Sequence, residues 1–330
     1  MLARFIMVYA SFLQLCASAA FSADGSSFVV AGDDHKLHLF DAETGRAIEV
    51  LEGHTGPVSA AAFLPDNRLL TASADKSVVA WSTQVQWNLK QRIGDGLKTD
   101  VLADRVTAMH FSSDGKLLAT GGGEPSRSGE IKIWNVADGK LVQALKEPHS
   151  DTVFAVEFSR DGQYIASSAA DRFVKVFQVS DGKFVRAFEG HTHHVLGVSW
   201  SADGRTLASS GADKVIKIWD FRTGDQQRTI AGFGKEVTAI KFVGDSVNVV
   251  ASSGDKTVQM KKTDNGGNVR SFAGSGDYVY AVSCTADGKI IAAGGQDSIV
   301  RIWSDDGKEV VKFSPPEPAE KPAEAGGGSE

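Results

Sequence analysis

The chain has 330 residues, 42% of them hydrophobic, with 35 Lys and Arg against 41 Asp and Glu, a formal net charge of -6 and an isoelectric point of about 5.8. Lacking any Lys/Arg cluster, that balance argues against a nucleic-acid groove, which needs a basic footprint. The two cysteines show neither metal-ligand spacing nor a Cys-x-x-Cys-His haem site, so no metal and no cofactor are expected.

Residues 1–19 carry one early cation, Arg4, an apolar run from Phe5 to Leu15, and the small-x-small triplet Ala17-Ser18-Ala19, the makeup of a cleaved signal peptide. The run is too short, and too dotted with Ser and Gln, for a stable membrane span. On this reading the protein is periplasmic or secreted. The competing reading keeps the chain cytoplasmic and intact, because Phe21 aligns with Phe63, Phe111, Phe158, Trp200 and Phe242 and makes Cys16 to Phe21 a core strand.

From there a single unit repeats. Its clearest copy, His194 to Asp220, holds three short apolar runs joined by Asp203-Gly204 and by Gly211-Ala212-Asp213-Lys214, which are hairpin turns between strands. A fourth run follows the Thr223-Gly224 turn, so each unit is a four-stranded antiparallel meander. The turn aspartates Asp24, Asp66, Asp114, Asp161, Asp203, Asp245 and Asp287 recur at intervals of 42, 48, 47, 42, 42 and 42 residues. Six of the seven copies place a second Asp (Asp34, Asp75, Asp171, Asp213, Asp255, Asp297) six residues before the end of the third run, where an aromatic stands in six of seven.

Period, strand count and motifs together resemble the WD40-repeat family. Gly53-His54 and Gly190-His191 match its Gly-His pair, and Trp219-Asp220 is a literal Trp-Asp. The resemblance implies an all-β, seven-bladed β-propeller over residues 20–313, some copies degenerate. It also implies a hydrogen-bonded tetrad in blade 2 (His54, Ser73, Asp75, Trp81) and in blade 5 (His191, Ser209 or Ser210, Asp213, Trp219), a structural role rather than a hydrolase triad.

Blade 3 departs from the pattern. The stretch Gly94 to Arg105 lengthens the connection into it, and Gly121 to Gly129 lengthens its second turn, on what family geometry makes the same face. Lys98, Asp100, Arg105 and Arg127 are the contact candidates there. Blade 4 offers His149, Asp171 and Phe177, whose ring lacks the indole donor. Blade 6 is the degraded copy, with Phe233 for the histidine and Lys261 for the aromatic, and is expected to open first. Blade 7 supplies its own outer strand, which leaves no evident N-terminal strand to latch the ring. Residues 314–330 hold four of the eight prolines and a Gly-Gly-Gly run, the composition of a disordered tail.

The function expected of such a ring is a noncatalytic, monomeric scaffold that docks a partner protein or peptide on one face. The residue after the first apolar position of each inner strand should approach that face: Ser59, Thr107, Phe154, Leu196, Thr238 and Tyr280. Phe154, Leu196 and Tyr280, with Tyr278, then form an apolar anchor patch. The alternatives are a propeller enzyme of lactonase-like or quinone-dependent type, which needs converging carboxylates or a cofactor pocket in the channel, and a structural piece of a larger protein.

Overall fold

A computed structural model describes residues 16–42, 44–82, 88–94, 101–285 and 287–313. It is all-β: seven four-stranded antiparallel sheets, each built from four consecutive strands. The innermost strands, Cys16–Phe21, Val58–Phe63, Val106–Phe111, Val153–Phe158, Val195–Trp200, Val237–Phe242 and Val279–Cys284, ring a central channel. No helix among the described residues is long and apolar enough to cross a membrane. The leader expected over residues 1–19 overlaps the described chain only at its end, where residues 16–19 pair with the second strand of blade 1. The expected tail, 314–330, lies outside the described residues, as do Lys98 and Asp100.

The hydrophobic pattern explains the stacking. Second strands such as Thr206–Gly211 and Asn248–Ser253 are buried along nearly their whole length, because neighbouring blades cover both faces. Outer strands such as Phe184–Phe188 and Gln226–Ile230 are largely exposed. Core clusters accordingly run between blades, with Trp219 beside Phe188 and Val195, and Phe242 beside Ile216 and Ile230. Each fully buried Val, Leu, Ile or Phe contributes about 1.5–3 kcal/mol.

The ring closes without strand exchange. Phe28, Val30 and Phe313 form one cluster with Ala292, Val300 and Ile302, joining blades 1 and 7. The Phe313 ring lies 5.7 Å from Phe28 and 4.7 Å from Phe40. Val311 covers the turn at Gly45, where φ is +72° and a Cβ would come within 2.9 Å of its methyl. At the joint between blades 4 and 5 the corresponding cover is Arg186, whose guanidinium donates to the carbonyls of Thr223 and Arg222. The seam is thus an apolar version of a joint made elsewhere with polar side chains.

Candidate functional site

Two sets of side chains need separating: those that tie each blade together, and those that reach the channel mouth. In blade 5, His191 Nδ1 lies 2.9 Å from Asp213, His191 Nε2 lies 2.8 Å from Ser209 Oγ, and the Trp219 indole donates to the same hydroxyl at 2.8 Å. Asp213 also accepts from the Thr192 amide at 3.0 Å. These groups satisfy one another out of water, where an unpaired one would cost about 1–3 kcal/mol. Gly190 is required beside them, since a Cβ there would sit 2.9 Å from the indole.

Blade 2 corrects one expectation. His54 Nε2 and the Trp81 indole meet at Thr71 Oγ1, at 2.8 and 3.0 Å, while Asp75 holds His54 Nδ1 at 3.0 Å. Ser73 is not the shared hydroxyl. It donates instead to the Gly56 carbonyl at 2.9 Å. Residues 71 and 73 share one face of the strand, so alternation cannot choose between them. Spacing can: the shared hydroxyl is four residues before the Asp at Thr71, Ser167 and Ser209 alike. Blade 4 forms the same network without an indole, from His149, Ser167 and Asp171.

Burial pushes the Asp75 carboxyl up, but the His54, Ser77 and Thr55 hydrogen bonds outweigh it and leave Asp75 well below the usual carboxylate range. Burial likewise opposes, and the histidine bond overrides it, at Asp171 and Asp213. In blade 6 the tetrad is replaced by Lys261 Nζ lying 5.7 Å over the Phe233 ring. Asp255 persists because it also caps the turn, accepting from the Thr257 and Gly234 amides. That second duty accounts for an Asp where no histidine stands.

The channel mouth is set by a backbone device the sequence does not display. Each inner strand carries a β-bulge after its first paired residue, as between Val195 and Gly197 or Val237 and Ala239. The extra residue leaves the ladder and turns toward the channel. Ser59, Thr107, Phe154, Leu196, Thr238 and Tyr280 occupy these bulges and line a cavity of about 1040 Å³.

The hydroxyl-bearing bulges act as clasps between blades. Ser59 donates to the Val106 carbonyl, Thr107 to Val153, and Thr238 to Val279 at 2.6 Å. Where the bulge carries Phe154, Leu196 or Tyr280, no such clasp exists. Phe154 lies 6.1 Å from the His194 ring, and Tyr280 stacks obliquely on Tyr278 at 4.8 Å. Thr238 stands between Leu196 and Tyr280 in ring order, so the expected patch is two patches, Phe154 with Leu196 and Tyr278 with Tyr280. Burial, with Glu236 beside it, pushes the Tyr278 phenol up to about 12.

Arg105 and Arg127 lie off the channel. Arg105 is exposed on the connection into blade 3, and Arg127 pairs with Glu124 in the lengthened turn. That turn is anchored to blade 4 by the Ser126 amide, 2.7 Å from Asp151.

Below the mouth runs a polar belt. The residue before the large core position in several blades, His110, Glu157, Ser199 and Lys241, ties its inner strand to another blade; His110 and Lys241 line the channel, whereas Glu157 and Ser199 are buried behind it. Glu157 accepts from the Trp200 amide at 3.1 Å and pairs with Lys241 at 2.9 Å, while Ser199 accepts from the Phe242 amide at 3.0 Å. Burial, reinforced by Lys241, lowers His110 to about 4. Cys284 is partly buried at the channel, and burial pushes its thiol up to about 11. A polar residue at one fixed position of successive inner strands was the available signal. Among the described residues, no three His, Cys, Asp or Glu side chains converge as a metal site would require.

Comparison with known proteins agrees with this geometry. The model of the WD domain, G-beta repeat, matches residues 45–82, 99–135, 139–178, 182–220 and 266–304, together more than half of the chain. The windows pass over the third strand of blade 6, which carries the Lys261 substitution. Curated relatives include transcription initiation factor TFIID subunit 5 of Caenorhabditis elegans, 29% identical over 164 residues, 49% of this chain and 23% of that one. A coronin-like protein of Saccharomyces cerevisiae is 30% identical over 161 residues, 46% of this chain and 24% of that one. The F-box-like/WD repeat-containing protein TBL1X of Mus musculus is 31% identical over 152 residues, 43% of this chain and 28% of that one. The aligned part thus spans about a quarter of each of these relatives.

Proposed function

The chain belongs to the WD40-repeat family, and from that premise we propose that it is a noncatalytic scaffold that docks a partner protein or peptide at the mouth of its channel. The observation that carries this reading is the row of bulge positions. Three of them present half-buried apolar or aromatic side chains to the lumen where hydroxyls would tie the blades together. Rigid aromatic side chains on a preformed rim lose little entropy on binding and are the kind that anchor partners. The tetrad His, Ser and Asp groups are shared with an indole or a backbone amide, so their chemistry is spent on the fold.

A peptide-display selection on the immobilised full chain tests the proposal. Selected ligands should bind the wild type and fail to bind a variant carrying Phe154→Ala and Tyr280→Ala, whose melting temperature stays within a few degrees of wild type. Undiminished binding to the double variant places the site elsewhere.

Localisation is proposed on the N-terminal composition alone: residues 1–19 act as a leader and the propeller works outside the cytoplasm. Cleavage after Ala19 would strip Cys16 to Ala19 from the innermost strand of blade 1. Intact mass after expression in a secreting bacterial host decides it, a start near Ala20 outside the cytoplasm supporting the leader and an uncleaved Met1 in the cytoplasm sinking it.

A further inference from the structure

The connections between blades cross the mouth face on a common plan. Seven positions carry the chain from the last buried residue of an outer strand to the start of the next inner strand at Leu51 to Val58, Phe188 to Val195, Ile230 to Val237 and Phe272 to Val279. Seven residues therefore suffice for the crossing. The contact of Phe154 with His194 shows what lies along it, since the residue six positions past Phe188 meets the bulge residue of the blade just left.

Beyond blade 7 the sequence continues in the same direction. Its outer strand ends at Phe313, paired with Val300, and Val300 is paired in turn with Gly294, opposite Ala281 at the mouth end of the sheet. Ser314-Pro315-Pro316-Glu317-Pro318-Ala319-Glu320 follow. Six positions past Phe313 is Ala319, directly after Pro318, and the bulge residue of blade 7 is Tyr280.

The aromatic pair there is held in place before anything binds. Tyr280 stands 4.8 Å from Tyr278, and its hydroxyl donates to Gln296 Oε1 at 3.5 Å. Tyr278 lies against Gly254, where blades 2, 4 and 5 carry Ala74, Ala170 and Ala212 and where a Cβ would strike the ring. Prolines suit such a pair, because their fixed φ lets a proline-rich run extend at little entropic cost and dock on aromatic side chains. Blade 1, across the seam, needs no histidine from a crossing segment. Its Asp34, which in the tetrad blades would take the incoming imidazole, already holds His38 at 2.7 Å, and residues 314–330 contain no histidine.

We propose that residues 314–320 cross the seam from blade 7 to blade 1 on the mouth face and seat Pro318 against Tyr280 and Tyr278, so that the chain's own segment covers the tyrosine side of the mouth. Phe154 and Leu196 then form the side left open to a partner. Docking of that partner at Phe154 does not depend on the placement of residues 314–320.

The test uses the full chain with its four tyrosines, Tyr9, Tyr164, Tyr278 and Tyr280, replaced by 3-fluorotyrosine and assigned by Tyr→Phe substitution. In the triple variant Pro315→Ser, Pro316→Ser, Pro318→Ser the fluorine resonances of Tyr278 and Tyr280 should move while that of Tyr164 stays. A synthetic peptide of residues 314–322 should return them toward their wild-type positions. It should bind the wild type roughly tenfold more weakly than the triple variant, because a tethered competitor acts at about millimolar effective concentration. Adding Tyr280→Leu to the triple variant should abolish peptide binding. Resonances of Tyr278 and Tyr280 that ignore the prolines, or a peptide that binds wild type and triple variant alike, overturn the proposal. Display-selected ligands that reach Tyr280 equally well in both proteins overturn it too and leave the docking reading standing. Proline-sensitive resonances with no selected ligand at Phe154 support it and remove the docking reading instead.

Discussion

Blades 5 and 6 are neighbours cut to one plan and secured by opposite means. Blade 5 has a complete tetrad, His191, Ser209, Asp213 and Trp219, yet beside its bulge residue Leu196 the Ser210 hydroxyl has no partner among the described residues. Blade 6 has lost the tetrad to Phe233 and Lys261, yet its clasp from Ser252 through Thr238 to Val279 is intact. The two devices are independent. The tetrad ties the second and third strands to the incoming connection, whereas the clasp secures the inner strands to one another at the mouth. A blade can lose either while the apolar stacking between sheets holds the ring.

The largest effect that tests this contrast is removal of the tetrad carboxylate. Asp213→Ala strands His191 and the Thr192 amide and should cost about 1–3 kcal/mol in chemical denaturation. Asp255→Ala, which unties only a turn and the Gly234 amide, should cost less. Equal losses would mean that the tetrad adds nothing beyond turn capping.

Acid should act on the ring with a definite sign. Burial holds His110 at about 4 and lowers His149, so the unfolded chain binds protons that the folded chain refuses. Their contribution is present above the ordinary histidine value of about 6.5 and is lost as pH falls toward 4, on the order of 1–3 kcal/mol for His110. His110→Gln should flatten the stability profile between those limits. The tetrad aspartates have lowered carboxyls, so their contribution persists through that window and disappears only at lower pH.

Local opening separates the blades next. Hydrogen exchange should show the second and third strands of blade 6 exchanging faster than those of blade 5, because Phe233, Ala251 and Lys261 stand where blade 5 has three of its four mutually satisfied groups. Equal protection would show that Phe233 packing compensates fully. The smallest effect concerns chemistry in the channel: with its thiol pushed up to about 11, Cys284 should resist alkylation at pH 8 until the protein is unfolded.

Much of this was legible in sequence, for a physical reason. Turn aspartates and apolar runs recur because each blade solves the same burial problem, so the period and the strand count could be read directly, and the pairs His54 with Asp75 and His191 with Asp213 followed from the family resemblance. Thr71, four residues before Asp75, carries the same spacing signal as Ser167 before Asp171 and Ser209 before Asp213. What could not be read depends on placement across blades. Glu157 and Lys241 are 84 residues apart and meet only because blades 4 and 6 face one lumen. The bulges leave no mark on an apolar run, so Ser59 and Leu196 look alike as strand residues although one clasps a neighbour and the other does not. The seam at Phe28, Phe40 and Phe313 was hidden for the same reason, since closure by packing needs no strand to be exchanged.

Blades 4 and 5 give up a clasp at the channel mouth and keep an apolar surface in its place. Unfolding free energies of Leu196→Thr and Leu196→Val test it most directly, because the two side chains are nearly isosteric and differ by the hydroxyl that would meet Ser210. The Thr variant should be more stable than the Val variant by about 0.5–1.5 kcal/mol, with the difference shrinking in a Ser210→Ala background. A Val variant as stable as the Thr variant, or a difference indifferent to Ser210, would contradict it.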